Sequence, residues 1–302
     1  MASHLVAKGY SILSLSYPIA TKGGMIEGAY PDFTATAWAE QIASISQDTI
    51  AENGLTDEVV MLAWSMGGKA VQPAYEAFGR EGLDVAAVVS LAATPGLPGL
   101  IAYTTEYKMA PTGYATRPEA YDGWLKQLAE MGVSGDGGEV IPQDAYLADY
   151  VGDIPVGLQG YGQVYRNGKF ELDHLSQALD YGAFSFSDYP FVVVLEGNSQ
   201  LDARHSLLDR SYWTLYNANT VMSRLQSSLK EKPGALPAED WEKLNNLVHQ
   251  LSDRLSISVP GNHFFFVGKD GAARTADAIV EAIDRTTKLE AEVAELVPGR
   301  AE

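Results

Sequence analysis

Apolar positions fall along the chain in short runs that alternate with helical stripes. Val59-Val60-Met61-Leu62-Ala63-Trp64 is an apolar run that stops at Ser65, passes through Met66-Gly67-Gly68, and gives way to a helix-compatible stretch from Lys69 to Phe78. Upstream, the residues as far as Lys8 form the tail of a helix closed by Gly9. Ser11-Ile12-Leu13-Ser14-Leu15-Ser16-Tyr17 then predicts a buried strand ended by Pro18. Trp38, Ile42, Ile45 and Thr49 recur at helical spacing, with Gly54 as the stop. The β-branched runs Val85 to Leu91 and Phe191 to Leu195 predict strands buried on both faces. Two helical stretches, about 203–229 and 238–251, are split by Lys232-Pro233-Gly234. Leu255, Ile257 and Val259 alternate into a last strand, and a final helix carries Ala276, Ile279, Val280 and Ile283 on one face before a charged tail expected to fray. Strand and helix in alternation predict an α/β fold with a mainly parallel sheet flanked by helices.

The alternation breaks after Thr94-Pro95-Gly96-Leu97-Pro98-Gly99. From there to Pro190 the chain is rich in Tyr, Gly and Pro, and only Trp124, Leu125, Leu128 and Met131 suggest a helix. A segment this long is more than a connection. It divides the chain into a core, residues 1–97 and 190–302, and an aromatic-rich cap or lid insertion, 98–189. Several of Tyr103, Tyr107, Tyr114, Tyr121, Tyr146, Tyr150, Tyr161 and Tyr165 are expected to face a pocket, and the others to hold the insertion to the sheet.

Composition narrows the classes of function. A hydrophobic fraction of 46% and a charged fraction of 20% over 302 residues suit a soluble globular chain with a sizeable core. The formal net charge of −18 argues against nucleic acid and anionic membrane surfaces as partners. The absence of cysteine excludes disulfides, thiolate nucleophiles and Cys-based metal sites. No apolar run approaches the ~20 residues of a membrane span. The first residues lack the basic start and apolar stretch of a signal peptide, so a cytoplasmic location is the default expectation.

In a parallel sheet the carboxyl ends of the strands share one edge, where ligands collect. Ser65, Asp202 and His263 each lie just past such an end. Serine becomes a nucleophile when a base takes its proton, histidine suits that role, and a buried carboxylate fixes the tautomer of the histidine. Small residues at Ala63 and Gly67 allow the sharp turn that would expose Ser65 at a helix N-terminus, where backbone N–H groups favour developing negative charge. His263 sits in a tight Gly-Asn-His loop directly after a strand, whereas His4, His174, His205 and His249 occupy polar or helical surroundings that suit surface or packing roles. Glu196 rivals Asp202 as the acid, and Asp188 precedes its strand and belongs to the opposite edge.

Together these residues resemble the α/β-hydrolase family over about residues 5–97 and 190–285. Ala63-Trp64-Ser65-Met66-Gly67-Gly68 looks like its nucleophile elbow, with the Met66 N–H as one oxyanion donor. Leu5 to Pro18 looks like the helix and fourth strand of the family, and 98–189 falls where the family inserts its cap. The resemblance implies a serine hydrolase with a Ser65–His263–Asp202 triad, acting on a small-molecule ester, thioester or related acyl substrate through an acyl-enzyme, with no metal or organic cofactor. Acyl transfer, peroxide-dependent chemistry on the same triad, and a non-enzymatic binding protein with a degenerate hydrolase fold are the alternatives. This chain departs from the family in three places. Ala63 replaces the usual Gly, Asp202 lies five residues after Gly197 rather than three, and the first three strands have no counterpart. The last departure predicts an N-terminally truncated fold with a gap between residues 11–17 and 59–64, and leaves the second oxyanion donor unassigned.

Overall fold

A computed structural model describes residues 1–56, 58–97, 108–110, 113–116, 118–133, 141–185, 189–228 and 236–297. Tyr103, Tyr107, Asp188, Leu229 and Lys232-Pro233-Gly234 lie outside the described residues.

The centre is a parallel sheet of four strands, β1 (Glu58–Trp64), β2 (Asp84–Leu91), β3 (Val192–Gly197) and β4 (Ser256–Val259), in the spatial order β4-β3-β2-β1. The uninterrupted apolar runs of β2 and β3 follow from burial on both faces. Val89, Leu91, Val193 and Leu195 point into one core, while Val88, Val192 and Val194 point into the other. The first core is closed by α1 (Ala2–Val6), α7 (Ala238–Arg254) and α8 (Lys269–Leu296), through Leu5, Leu244, Leu251 and Ile279. The second is closed by α2 (Ala35–Asn53) and α3 (Val71–Arg80), through Ala39, Ala43, Ala74 and Phe78. Helix α6 (Ala203–Ser228) serves both, with Val221 and Leu225 on one side and Trp213 and Tyr216 on the other. Its Asn217 braces the start of β3 through a hydrogen-bond pair with the backbone N–H and C=O of Val192, both at 2.9 Å.

The helix from Trp38 toward Gly54 forms as expected. Thr34 caps its start, accepting from the Ala37 N–H at 3.1 Å, and Gly54 closes it in the left-handed conformation at φ 60°. Two expectations fail. Residues 11–17 form no strand; Ile12 and Leu13 are exposed, and β1 is an edge strand of the sheet, paired with β2 alone among the described residues. An apolar run becomes a strand where a neighbour offers a ladder of N–H and C=O groups, and no described strand offers one to this segment. The expected slot between two strands is therefore replaced by a loop that brings Tyr17 back against β1. The second failure concerns the last helix. The charged tail expected to fray is helical as far as Leu296, because Leu289 and Val293 carry the buried stripe of α8 onward; residues 298–302 lie outside the described residues.

The segment between β2 and β3 contributes α4 (Tyr121–Val133), α5 (His174–Asp180) and short hairpins such as Gln163–Arg166 with Lys169–Leu172. Its strand Gly152–Asp153 pairs with Ala20–Thr21, tying it to the loop after Tyr17. Among the described residues no helix is long and apolar enough to cross a membrane.

Candidate active site

β1 ends at Trp64, and the chain turns through a short 3-10 helix, Ser65–Lys69, before α3. Ser65 occupies this turn with φ 52°, left-handed backbone that an L-residue adopts at a cost of about 1–2 kcal/mol. The demand for a small residue falls differently from expectation. A Cβ on Gly67 would meet Ala63 Cβ at an ordinary 3.9 Å, whereas one on Gly68 would lie 2.6 Å from the Thr94 carbonyl oxygen. Gly68 is thus the position where the turn presses on the chain just past the end of β2.

Asp202 closes the loop after β3, and His263 lies in the loop after β4. The two loops are laced together. The Asn198 and Ser199 N–H groups both donate to the Gly261 carbonyl, at 2.9 and 3.0 Å, and Gly261 N–H donates back to Asn198 Oδ1 at 3.1 Å. A Cβ on Gly197 would sit 2.5 Å from the same carbonyl, so only glycine permits this approach. The outcome is a buried pair, with His263 Nδ1 3.2 Å from Asp202 Oδ2. Glu196, the rival acid, has Arg210 and Asp209 as its charged neighbours, and partial burial raises its pKa.

Trp64 joins the histidine to the serine turn. Its indole Nε1–H donates to the His263 carbonyl at 3.0 Å and its ring lies 5.3 Å from the imidazole. Ser65, Asp202 and His263 all line one cavity of about 370 Å³. No direct Ser65–His263 hydrogen bond is present. The Ser65 hydroxyl and the Gly67 N–H instead contact the Tyr17 hydroxyl, which donates to the Trp64 carbonyl while its ring stacks on the Trp64 indole. Burial pushes the Tyr17 phenol well above its ordinary range, so it stays protonated. Met66, on the first turn of the 3-10 helix, also lines the cavity.

Burial disfavours the imidazolium and lowers the pKa of His263; Asp202 opposes that shift, and His205 adds to it. His205, expected in a surface or packing role, lies in the site instead: its ring is 4.6 Å from that of His263, and its Nδ1 is 2.9 Å from Oδ2 of the fully buried Asp209. Asp209 Oδ1 in turn accepts from the Thr94 hydroxyl at 3.0 Å. The signal was present as Asp202-x-x-His205-x-x-x-Asp209, a spacing that puts all three on one face where α6 begins.

The segment between β2 and β3 forms the rest of the cavity wall. Tyr121, Tyr146, Tyr150 and Tyr161 line it, whereas Tyr114 donates to the Ala29 carbonyl and Tyr165 packs on Phe170. The same segment grips both site loops. Gln127 donates to the Leu201 carbonyl at 2.7 Å, and the buried Asn262, next to His263, donates to the Gln127 carbonyl at 2.7 Å and to Glu130 at 2.5 Å.

No family model, curated protein or solved structure matches the chain. What can be said of its chemistry therefore comes from the residues.

Proposed function

We propose that this chain is a serine hydrolase of α/β-hydrolase type, cleaving an ester, thioester or related acyl bond with Ser65 as nucleophile. The observation that carries the reading is the strained Ser65 backbone at a strand-to-helix turn, opening into the same cavity as the buried Asp202–His263 pair. Strain of this kind persists where the surrounding structure enforces it and concentrates at functional positions.

In this reading substrate entry turns the Ser65 hydroxyl from Tyr17 toward His263. His263 Nε2 takes the proton as Ser65 Oγ attacks the acyl carbon, then gives it to the leaving oxygen or sulfur. Water, activated by the same nitrogen, hydrolyses the acyl-enzyme. Asp202 keeps the proton on Nδ1 and stabilises the imidazolium. The Met66 N–H, at the start of the 3-10 turn, faces the developing oxyanion, a contact worth about 3–4 kcal/mol. The segment 98–189 acts as a cap whose aromatic side chains select the acyl group.

Steady-state hydrolysis of p-nitrophenyl esters of graded acyl length tests the reading. The wild-type chain should turn over esters of an acyl size suited to the cavity, and Ser65→Ala should lower kcat by roughly 10³-fold or more with little change in KM. Ester turnover that survives Ser65→Ala would remove the serine from the chemistry.

A further inference from the structure

We infer that Asp202, His205 and His263 form a binding site for a divalent transition-metal ion of the zinc class. Each offers one ligand atom, and these atoms all lie within 4.8 Å of one another. Two imidazoles and one carboxylate are a donor set such ions favour, with a fourth position for water or substrate. That position has somewhere to open, because all three residues line the cavity.

Three details point to a ligand set rather than an accidental cluster. Zinc–nitrogen and zinc–oxygen bonds of about 2.0–2.2 Å place neighbouring tetrahedral ligands about 3.3 Å apart. His263 Nδ1 and Asp202 Oδ2 are 3.2 Å apart, which is that spacing and is long for a charge-assisted hydrogen bond. His205 carries the outer support that ligating histidines have: Nδ1–H directed at the buried Asp209 carboxylate, itself held by Thr94, leaving Nε2 with the lone pair. His205, the least buried of the three side chains at 14% exposed, is the ligand with the most room to adjust.

The consequence for catalysis rests on the serine hydrolase reading; the binding itself does not. A metal ion on Nδ1 of a neutral His263 displaces the proton to Nε2, the nitrogen that must accept the proton of Ser65. It also takes Asp202 from its orienting role. Occupancy of the site therefore turns ester hydrolysis off, and chelation restores it.

The test uses the full chain after chelator treatment and dialysis. Titration with Co²⁺ should give the visible d–d absorption of a tetrahedral or five-coordinate site, saturating at one equivalent. His205→Gln should abolish that spectrum, and Asp209→Asn should weaken Co²⁺ binding by about 10- to 100-fold while the far-UV circular dichroism stays native. Zn²⁺ should displace Co²⁺ and inhibit ester hydrolysis. The ratio of zinc-treated to chelator-treated activity, taken within each protein, should rise at least about five-fold in Asp209→Asn at a fixed Zn²⁺ concentration about 30 times the wild-type Kd, where the wild-type site is nearly saturated. Absence of a cobalt spectrum, or a spectrum indifferent to both substitutions in folded protein, overturns the site. A cobalt spectrum that depends on His205 in a chain without esterase activity upholds the site and counts against the hydrolase reading instead.

Discussion

At the scale of single residues, the site depends on which group holds a proton and at what pH. His263 is surrounded by Asp202 from the loop after β3, by His205 and Asp209 from α6, and by the indole of Trp64. Burial is the largest influence and favours the neutral ring, so the folded-state pKa lies below the ordinary value of about 6.5. A base whose pKa is lowered stays competent as pH falls past that value. In chelator-treated protein the acid limb of kcat/KM should therefore have its midpoint below pH ~6.5; a midpoint above it contradicts the burial argument. The acid is tested by a pair of substitutions. Asp202→Asn should cut kcat by roughly 10²- to 10⁴-fold, because the wrong tautomer is favoured, while Glu196→Gln should stay close to wild type. The reverse order would reassign the acid. Of the candidate site, Ser65 stood out in the sequence because it stops an apolar run at a strand end, and His263 because it follows a strand in a tight Gly-Asn-His loop. Asp202 was legible with its rival Glu196, and only the geometry of the loop separated them. His205 was not: helical position suggested an ordinary surface or packing residue, and its place in the site depends on the approach of the β4 loop, far away in sequence.

At the scale of elements, the serine turn is shaped by its contact with the chain just past the end of β2. Gly68 faces the Thr94 carbonyl at a distance no Cβ tolerates, whereas Gly67 faces open van der Waals contact. Gly68→Ala should cost about 1–3 kcal/mol in denaturant unfolding, and Gly67→Ala should be near neutral. Equal costs would mean that the turn is not pressed against β2. The expected rule, small residues two before and two after the nucleophile, pointed to Gly67 and missed Gly68, because the crowding comes from Thr94 and not from within the motif. The four strands of the sheet and the helix ended by Gly54 were readable from periodicity and caps. The segment 11–17 was misread because its apolar residues match a strand template, while strand formation depends on a pairing partner that a local pattern does not contain. The tail of α8 was expected to fray because its charged residues hide the stripe Leu289, Val293, Leu296.

At the scale of the whole molecule, the parallel sheet brings three distant loops to one edge, and residues between β2 and β3 line the cavity beside them. The cavity of about 370 Å³ falls within the range of small-molecule sites, and its wall is shared between the three strand-end loops and aromatic residues of the segment between β2 and β3. Gln127, Glu130 and Asn262 couple the insertion to the very loops that carry Asp202 and His263. The Tyr content of the segment pointed to some of these side chains lining a cavity, but not to which of them, Tyr121, Tyr146, Tyr150 and Tyr161, do so. The central claim is that Ser65 is an activated nucleophile. The most direct measurement is labelling of the native chain with a fluorophosphonate probe, followed by mass spectrometry of the peptide that bears the adduct. The account predicts one covalent adduct, on Ser65, lost on heat denaturation and in Ser65→Ala and strongly slowed in His263→Ala. A folded chain that takes no label, or takes it at another residue, would contradict it.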